Sequence, residues 1–519
     1  MRKKIFLMLL IVLSIVFESL ICHADNPIVQ TIYTADPAPM VHDGVCYVYT
    51  THDEDTVVNN FYTMNEWRCY SSKDMVNWTD HGSPLDYNAF SWAQGDAWAG
   101  QVIYRNGKFY FYVPMTRKNA GGARVIGVAV SDSPTGPFID AIGKPLITNN
   151  GAQDIDPSVF IDDDGQAYLY WGNSELYYVK LNEDMVSYSG SVVKVSPKPT
   201  NFVEGPWFYK RNNLYYMVYA GMGSSGEDIR YATSTSPTGP WNYKAVIMPS
   251  QNSYTNHPGV IDYEGNSYMF YHTGNLQGGG SYHRSVGIEQ FNYNSDGSIP
   301  SISITKTGPS QIGNLDPYVQ TEAETICWES GVETEKCSEG GMNVSYIENG
   351  DYIKVKGVDF GSGAVSFNAR VASATDGGNI ELRLDSPTGT LVGTCAVSGT
   401  GGWQIWTTKS CEISGATGIH DLYLKFTGGS GYLLNLNWWK FIKALVTPTS
   451  TPTETKGDLN GDGKVNSIDF GLLKQHLLGI TKLIGKSLSD ADVNGDGNVN
   501  SIDFGLMKQY LLGIIKSFN

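Results

Sequence analysis

Between residues 26 and 312, short stretches of alternating apolar and polar residues recur behind turns. They are HDGVCYVYT (42–50), RNGKFYFYV (105–113), DDGQAYLYW (163–171), RNNLYYMVY (211–219) and YEGNSYMFY (263–271). Each opens on a turn carrying Gly or Asn and continues as an aromatic, period-two strand. The turn residues Gly44, Gly107, Gly165, Asn213 and Gly265 lie 63, 58, 48 and 52 positions apart. A second element follows several of them: SSKDMVNWTD, SDSPTGPFID, LNEDMVSYSG and STSPTGPWNY. Five copies of roughly 50 residues, each with several strands, predict a five-bladed β-propeller. The competing reading is a β-sandwich with coincidental hairpins.

The pattern changes near residue 315. Residues 318–442 hold short alternating strands such as DYIKVKGVDF and no helical periodicity, which predicts a β-sandwich of jelly-roll type. TPTSTPTET (447–455) reads as an extended Thr/Pro linker. Beyond it, DLNGDGKVNSID (458–469) repeats as DVNGDGNVNSID (492–503), each copy followed by an amphipathic helical stretch. The chain is therefore expected to be mainly β with a small α-helical end. Its divisions are 1–24, 25–315, 316–443, 444–456 and 457–519.

Residues 1–24 place Arg2, Lys3 and Lys4 before an apolar run ending at Phe17, the pattern of a secretory signal peptide. Secretion permits disulfides. Of the six cysteines beyond Cys22, Cys395 with Cys411 is the favoured pair; Cys46 with Cys69 and Cys327 with Cys337 are weaker candidates. The formal charge of −16 opposes a nucleic-acid partner, which needs clustered Lys and Arg. No stretch after the signal is apolar enough to span a membrane. The 32 Tyr and 12 Trp suit a protein with exposed aromatic platforms.

Three carboxylates sit at matching places. Asp36 (TADPAP) precedes the first blade strand, Asp156 (QDIDPSVF) the third and Glu204 (FVEGPWF) the fourth. In a propeller, this is expected to place all three on one face around the central channel. Proline after Asp36 and Asp156 is expected to hold both extended. Phe202, Val203, Pro206 and Trp207 surround Glu204 in sequence, a setting expected to raise its pKa. One carboxyl kept protonated beside one kept ionised is what glycoside hydrolysis requires.

ADPAPMVHDGVCYVYTTHD, DAWAGQVIYRNGKFYFYV, DIDPSVFIDDDGQAYLYWG, FVEGPWFYKRNNLYYMVYA and NHPGVID, in this order, resemble family 43 glycoside hydrolases. The resemblance implies an inverting enzyme with Asp36 as general base, Glu204 as general acid and Asp156 orienting the acid. It implies that His257 contacts a calcium ion or its waters, that Arg284 contacts sugar hydroxyls and that Trp98 is a stacking wall. Gly100 stands where the family usually has Pro. The substrate class implied is hemicellulose, with α-L-arabinofuranosidase action on arabinoxylan first. β-Xylosidase or endo-xylanase and endo-arabinanase action stand behind it, and a propeller lectin is the non-enzyme alternative.

QTEAET, GGMNVSYIENGDYIKV, GGWQIWTT, GIHDLYLKFTG and LLNLNWWKF resemble family 6 carbohydrate-binding modules. By that resemblance Tyr346 and Trp403 sandwich a sugar, Asn435 bonds it, and Glu322 and Glu324 are calcium ligands, although Asn437 replaces a partnering Asp. Trp406 competes for the platform; strand alternation is expected to send one of the two tryptophans to the core. The duplicated loops carry EF-hand ligand spacing: Asp458, Asn460, Asp462, Asn466 and Asp469, then Asp492, Asn494, Asp496, Asn500 and Asp503. They resemble type I dockerins. That implies calcium, a cohesin partner on a scaffolding protein, and an extracellular, cellulosome-associated location. Ser467, Ile468 and Lys474, with Ser501, Ile502 and Lys508, fall at cohesin-contacting positions, and the duplication offers two inverted binding modes.

Overall fold

The computed structural model describes residues 26–148, 153–443 and 456–518. The expected signal peptide and nearly all of the Thr/Pro linker lie outside these residues. The chain divides into two compact units, Met1–Ala444 and Leu445–Asn519. It is mainly β.

Residues 34–291 form five successive antiparallel sheets. Setting aside the short Ala93–Gly95, which also pairs in sheet two, their first strands are Thr34–His42, Gln101–Arg105, Ser158–Ile161, Phe202–Arg211 and Gly259–Tyr263. Each of the five repeated segments is the hairpin joining the first strand of a sheet to its second. At Asp43-Gly44, Asn106-Gly107 and Glu264-Gly265 both turn residues have positive φ, the turn whose twist matches paired strands.

Consecutive residues of each second strand face opposite sides of the sheet. Tyr49 and Phe111 meet in a core between sheets one and two, and Tyr112 and Leu169 between two and three. Tyr170 and Met217 meet between three and four, Val218 and Met269 between four and five, and Phe270 and Val48 between five and one. Burying each such side chain contributes roughly 1.5–3 kcal/mol. The first strands also bond in succession: Val159 N–H donates to Gln101 Oε1 (2.8 Å), Phe208 N–H to Ser158 Oγ (2.9 Å) and Trp207 Nε1 to the Val260 carbonyl (2.9 Å). Ile28 N–H donates to the Val286 carbonyl (2.8 Å), laying the N-terminal segment along the last strand of sheet five.

Residues 321–443 form two sheets around one shared core that includes Phe367, Trp439 and Phe441 from one and Ile380, Leu382 and Leu424 from the other. This part does not hang on a loose boundary. Its strand Thr325–Ile326 pairs with Trp78–Asp80 of sheet one. Asn77 Oδ1 accepts the Lys356 N–H at 2.8 Å, and Thr334 Oγ1 donates to Asp80 at 2.7 Å.

Among the described residues, the second unit holds three helices, α1 (Ser467–Leu477), α2 (Gly485–Ala491) and α3 (Ser501–Leu511). Asn466 and Asn500 cap α1 and α3 with matching capping boxes, and Phe470 stacks on Phe504 at 4.2 Å. Helix α2 has no counterpart in the sequence reading.

The expected disulfides are not formed: Cys46, Cys69, Cys337, Cys395 and Cys411 are thiols. Cys46 and Cys69 lie on paired strands but face different cores, which no S–S bond can bridge. Cys395 and Cys411 sit in opposed sheets, close enough for their thiols to hydrogen-bond without a covalent link.

Candidate active site

One pocket of about 410 Å³ brings together Asp36, Asp156, Glu204, Trp98, His257 and Arg284. All three carboxylates stand at or just before the starts of first strands, so the matching ends of three sheets bring them into one pocket. Asp36 and Asp156 are not extended: their φ angles are 51° and 58°. A bulge between Ala35 and Ala38 takes Asp36 out of the strand ladder, and Asp is among the few side chains that visit this left-handed region. Such a conformation costs on the order of 1–3 kcal/mol and is held by surrounding contacts.

Asp36 is buried. Arg284 Nη1 donates to its Oδ1 at 3.0 Å and Thr51 Oγ1 to its Oδ2 at 3.0 Å. Burial alone would raise its pKa, but the Arg284 guanidinium and the His272 ring overcome that and hold it well below the usual carboxylate range. Arg284 is in turn shared with Asp53, whose Oδ1 lies 2.8 Å from Nη2. Its donors are largely committed to these two carboxylates, and the Tyr62 ring lies 4.8 Å from its Cζ.

Glu204 has the opposite setting. Burial pushes its pKa up to about 7, while the hydrogen bond from Asn173 pulls the other way. Asp156 is also raised, first by burial and then by the charge of Glu204, and its Oδ2 accepts the Gly205 N–H at 2.9 Å. Gly205 has φ +58°, and a Cβ there would come within 3.1 Å of His257 Nδ1. Burial lowers His257 to about 4, so its ring is neutral near pH 7 and available to a cation.

The pocket also contains residues that the sequence did not announce. Glu227 is 4 % exposed, accepts the Asn256 N–H at 2.9 Å and hydrogen-bonds Glu204; burial and the Glu204 charge raise it to about 9. Trp98 has one face covered by the Arg124 guanidinium, 3.9 Å from the ring centre. Gly100 has a local reason: a Cβ would lie 2.8 Å from the Tyr112 carbonyl oxygen, so no side chain fits there without moving strand Lys108–Arg117.

Such a pocket holds one carboxyl ionised and another protonated near neutral pH, the pair needed to activate water and protonate a leaving oxygen. Residues 24–299 match the family model "Glycosyl hydrolases family 43". The chain belongs to glycosyl hydrolase family 43. It is thus a glycoside hydrolase. Residues 322–443 match "Carbohydrate binding module (family 6)" and residues 456–512 "Dockerin type I domain". An arabinoxylan arabinofuranohydrolase of Paenibacillus polymyxa is 36% identical, over 83% of this chain and 76% of its own. One from Bacillus subtilis (strain 168) is 37% identical, over 80% of this chain and 92% of its own. The crystal structure of a family 43 arabinoxylan arabinofuranohydrolase from Bacillus subtilis in complex with cellotetraose superposes with a TM-score of 0.72 at 35% identity. It covers 80% of this chain and 97% of that one.

In the family 6 module, Tyr346, Trp403 and Asn435 come together. Tyr432, unnoticed in the sequence, stands between the two aromatics, 5.5 Å from Tyr346 and 6.4 Å from Trp403. Asn435 Nδ2 donates to Glu335 (2.7 Å) and to the Trp403 carbonyl (3.0 Å). Neither Trp403 nor Trp406 enters the core, contrary to expectation; both are half-buried. Their strand, Gly402–Glu412, lies at the edge of its sheet and contributes little to the shared core. Glu324 is 3 % exposed and its Oε2 has no hydrogen-bond partner, while Glu322 adds to the raising of its pKa by burial. An orphaned buried carboxylate oxygen beside a second carboxylate fits a cation.

In the dockerin, Asp469 and Asp503 are completely buried at the ends of their loops. Asp458 and Asp492, at the starts, accept backbone N–H groups of Gly463 and Gly497 (2.8 and 2.9 Å). The donors are all oxygen, the set that suits calcium. Among the described residues, no three His, Cys, Asp or Glu side chains converge as a preformed metal cage.

Proposed function

We propose that the chain is an inverting α-L-arabinofuranosidase that removes arabinose side chains from arabinoxylan. The observation that carries the reading is the opposite setting of Asp36 and Glu204 in one pocket. Ionised Asp36 takes a proton from the attacking water, and protonated Glu204 gives its proton to the departing oxygen. Asp156 positions the acid through the Gly205 backbone, and Arg284 keeps the base ionised. The similarity to arabinoxylan arabinofuranohydrolases over most of the chain supports this substrate. The test is release of arabinose from wheat arabinoxylan and cleavage of p-nitrophenyl arabinofuranoside in preference to the xyloside, with NMR of the first-formed anomer. Xylose as the main product, or retention at the anomeric carbon, overturns the reading.

The five sheets are the blades of a propeller, closed by the N-terminal segment on the last strand, and the two later sheets are a jelly-roll sandwich. The bonds between first strands from sheet two to sheet five, and the core shared by Val48 and Phe270 between sheets one and five, support this closure. Residues 25–315, 316–443 and 457–519 act as hydrolase, binding module and dockerin, joined by linker 444–456, after a signal at 1–24. Tyr346, Trp403, Tyr432 and Asn435 hold xylan. Calcium is held by the two dockerin loops, by Glu322 and Glu324, and near His257; in the loops it neutralises the convergent aspartates. Exposed Ile468 and Ile502 belong to the face that meets a cohesin, which would place the enzyme outside the cell on a scaffold.

A further inference from the structure

A second cavity, of about 1080 Å³, opens where the five-sheet part meets the family 6 module. Tyr33, Asp55 and Gln277 face it from segments flanking sheets one and five, and Trp328 and Glu329 from the module. Aromatic rings beside amides and carboxylates are the lining a carbohydrate needs, apolar surface for its C–H face and polar groups for its hydroxyls. Tyr33 is held rigidly: its hydroxyl donates to the Gln277 carbonyl at 3.0 Å, and His283 stacks on its ring at 4.6 Å. Trp328 is fixed in a strand paired with Tyr352–Asp359.

The cavity is separate from the Asp36 pocket but shares chain segments with it. Tyr33 stands just before Asp36, Asp55 just after the Asp53 that bonds Arg284, and His283 adjoins Arg284. An extended residue spans about 3.3–3.6 Å, so Tyr33 and Asp36 lie within ~11 Å along the backbone. Tyr282, the residue before His283, lies 5.0 Å from Tyr62 of the pocket wall.

We propose that this cavity is a second carbohydrate site, which holds the main chain of a polysaccharide while a side branch occupies the pocket of Asp36 and Glu204. The inference rests on the debranching activity proposed above.

The probe is unbranched xylohexaose, which carries no side branch to cleave. It is titrated calorimetrically into the full chain carrying Trp403→Ala, so that the module's own aromatic cluster is disabled. Adding Trp328→Ala is expected to weaken binding about 10-fold, the loss typical of a buried aromatic anchor. Circular dichroism checks that the variant folds. Should it not fold, Gln277→Ala, which shortens an exposed side chain, decides the matter with an expected loss of about 3-fold. No binding of xylohexaose before these substitutions, or undiminished binding after them, overturns the second site. Binding that depends on Trp328 in a protein unable to cleave p-nitrophenyl arabinofuranoside upholds the site and overturns the activity reading instead.

Discussion

Asp156 accepts the Gly205 N–H, so the residue that follows the proposed acid Glu204 is tied directly to a second carboxylate. Gly205→Ala strains a backbone at φ +58° and crowds His257. A misplaced catalytic group costs ~10²-fold, and kcat is expected to fall by that order. Asp156→Asn keeps an acceptor for the N–H, so it should retain more activity than Asp156→Ala; steady-state kinetics of the three variants check this order.

Glu204→Gln is expected to lower cleavage of arabinoxylan by ~10²–10⁴-fold, because the leaving oxygen can no longer be protonated. An aryl arabinofuranoside, whose phenolate leaves readily, should suffer less. Equal losses on both substrates would remove Glu204 from the acid role.

Asp36→Asn leaves the water unactivated, so polymer and aryl glycoside should fail together. Azide should not restore activity with net retention; a retained azide adduct seen by NMR would make the enzyme retaining.

The pH profile follows from the two settings. Activity needs Asp36 ionised and Glu204 protonated. Since Asp36 is depressed and Glu204 raised to about 7, kcat/KM should hold steady through mildly acidic pH and fall above about 7. Glu227 tunes that alkaline limb. Its hydrogen bond lowers the pKa of Glu204, so Glu227→Ala should move the limb to higher pH, whereas Glu227→Gln, still able to donate, should leave it near its place. Rate–pH curves for the three proteins separate this from a merely structural role.

Chelation should unfold residues 456–518, because the loop aspartates repel one another without a cation and a core this small is marginal. Helical circular dichroism and cohesin binding should vanish together. Hydrolysis of a small arabinofuranoside should persist; its loss in a chain ending at residue 446 would place an essential calcium at His257.

The hairpins and the three proposed catalytic carboxylates were legible because each is encoded in a few adjacent residues: a turn pair and an alternating strand, or a carboxylate beside Pro or Gly-Pro. Glu227 was not. It begins strand Glu227–Ser234, the third of its sheet, and reaches the pocket because that strand starts at the same end as Phe202–Arg211. Its one local signal is a carboxylate heading a strand whose eight residues are all buried. The left-handed backbone at Asp36 and Asp156 escaped for a similar reason: the burial around both and the bulge at Asp36 are tertiary, and they override the extended preference before proline. Cys46 and Cys69 misled because adjacency on paired strands does not specify which face a side chain occupies; Cys395 and Cys411 do meet, but as thiols from opposed sheets.

The division of Arg284 between Asp36 and Asp53 also bears on which branches the enzyme admits. The other guanidinium of the pocket, Arg124, lies over Trp98 and 3.5 Å from Asp96. Both positive groups are thus engaged before any sugar arrives, among three buried carboxyls and the half-buried Glu204. A uronic acid would bring a further negative charge into a desolvated site with no counter-ion to spare, a penalty of several kcal/mol. Neutral pentoses carry no such burden, and the pocket is therefore expected to discriminate against acidic decorations by charge alone, before shape is consulted.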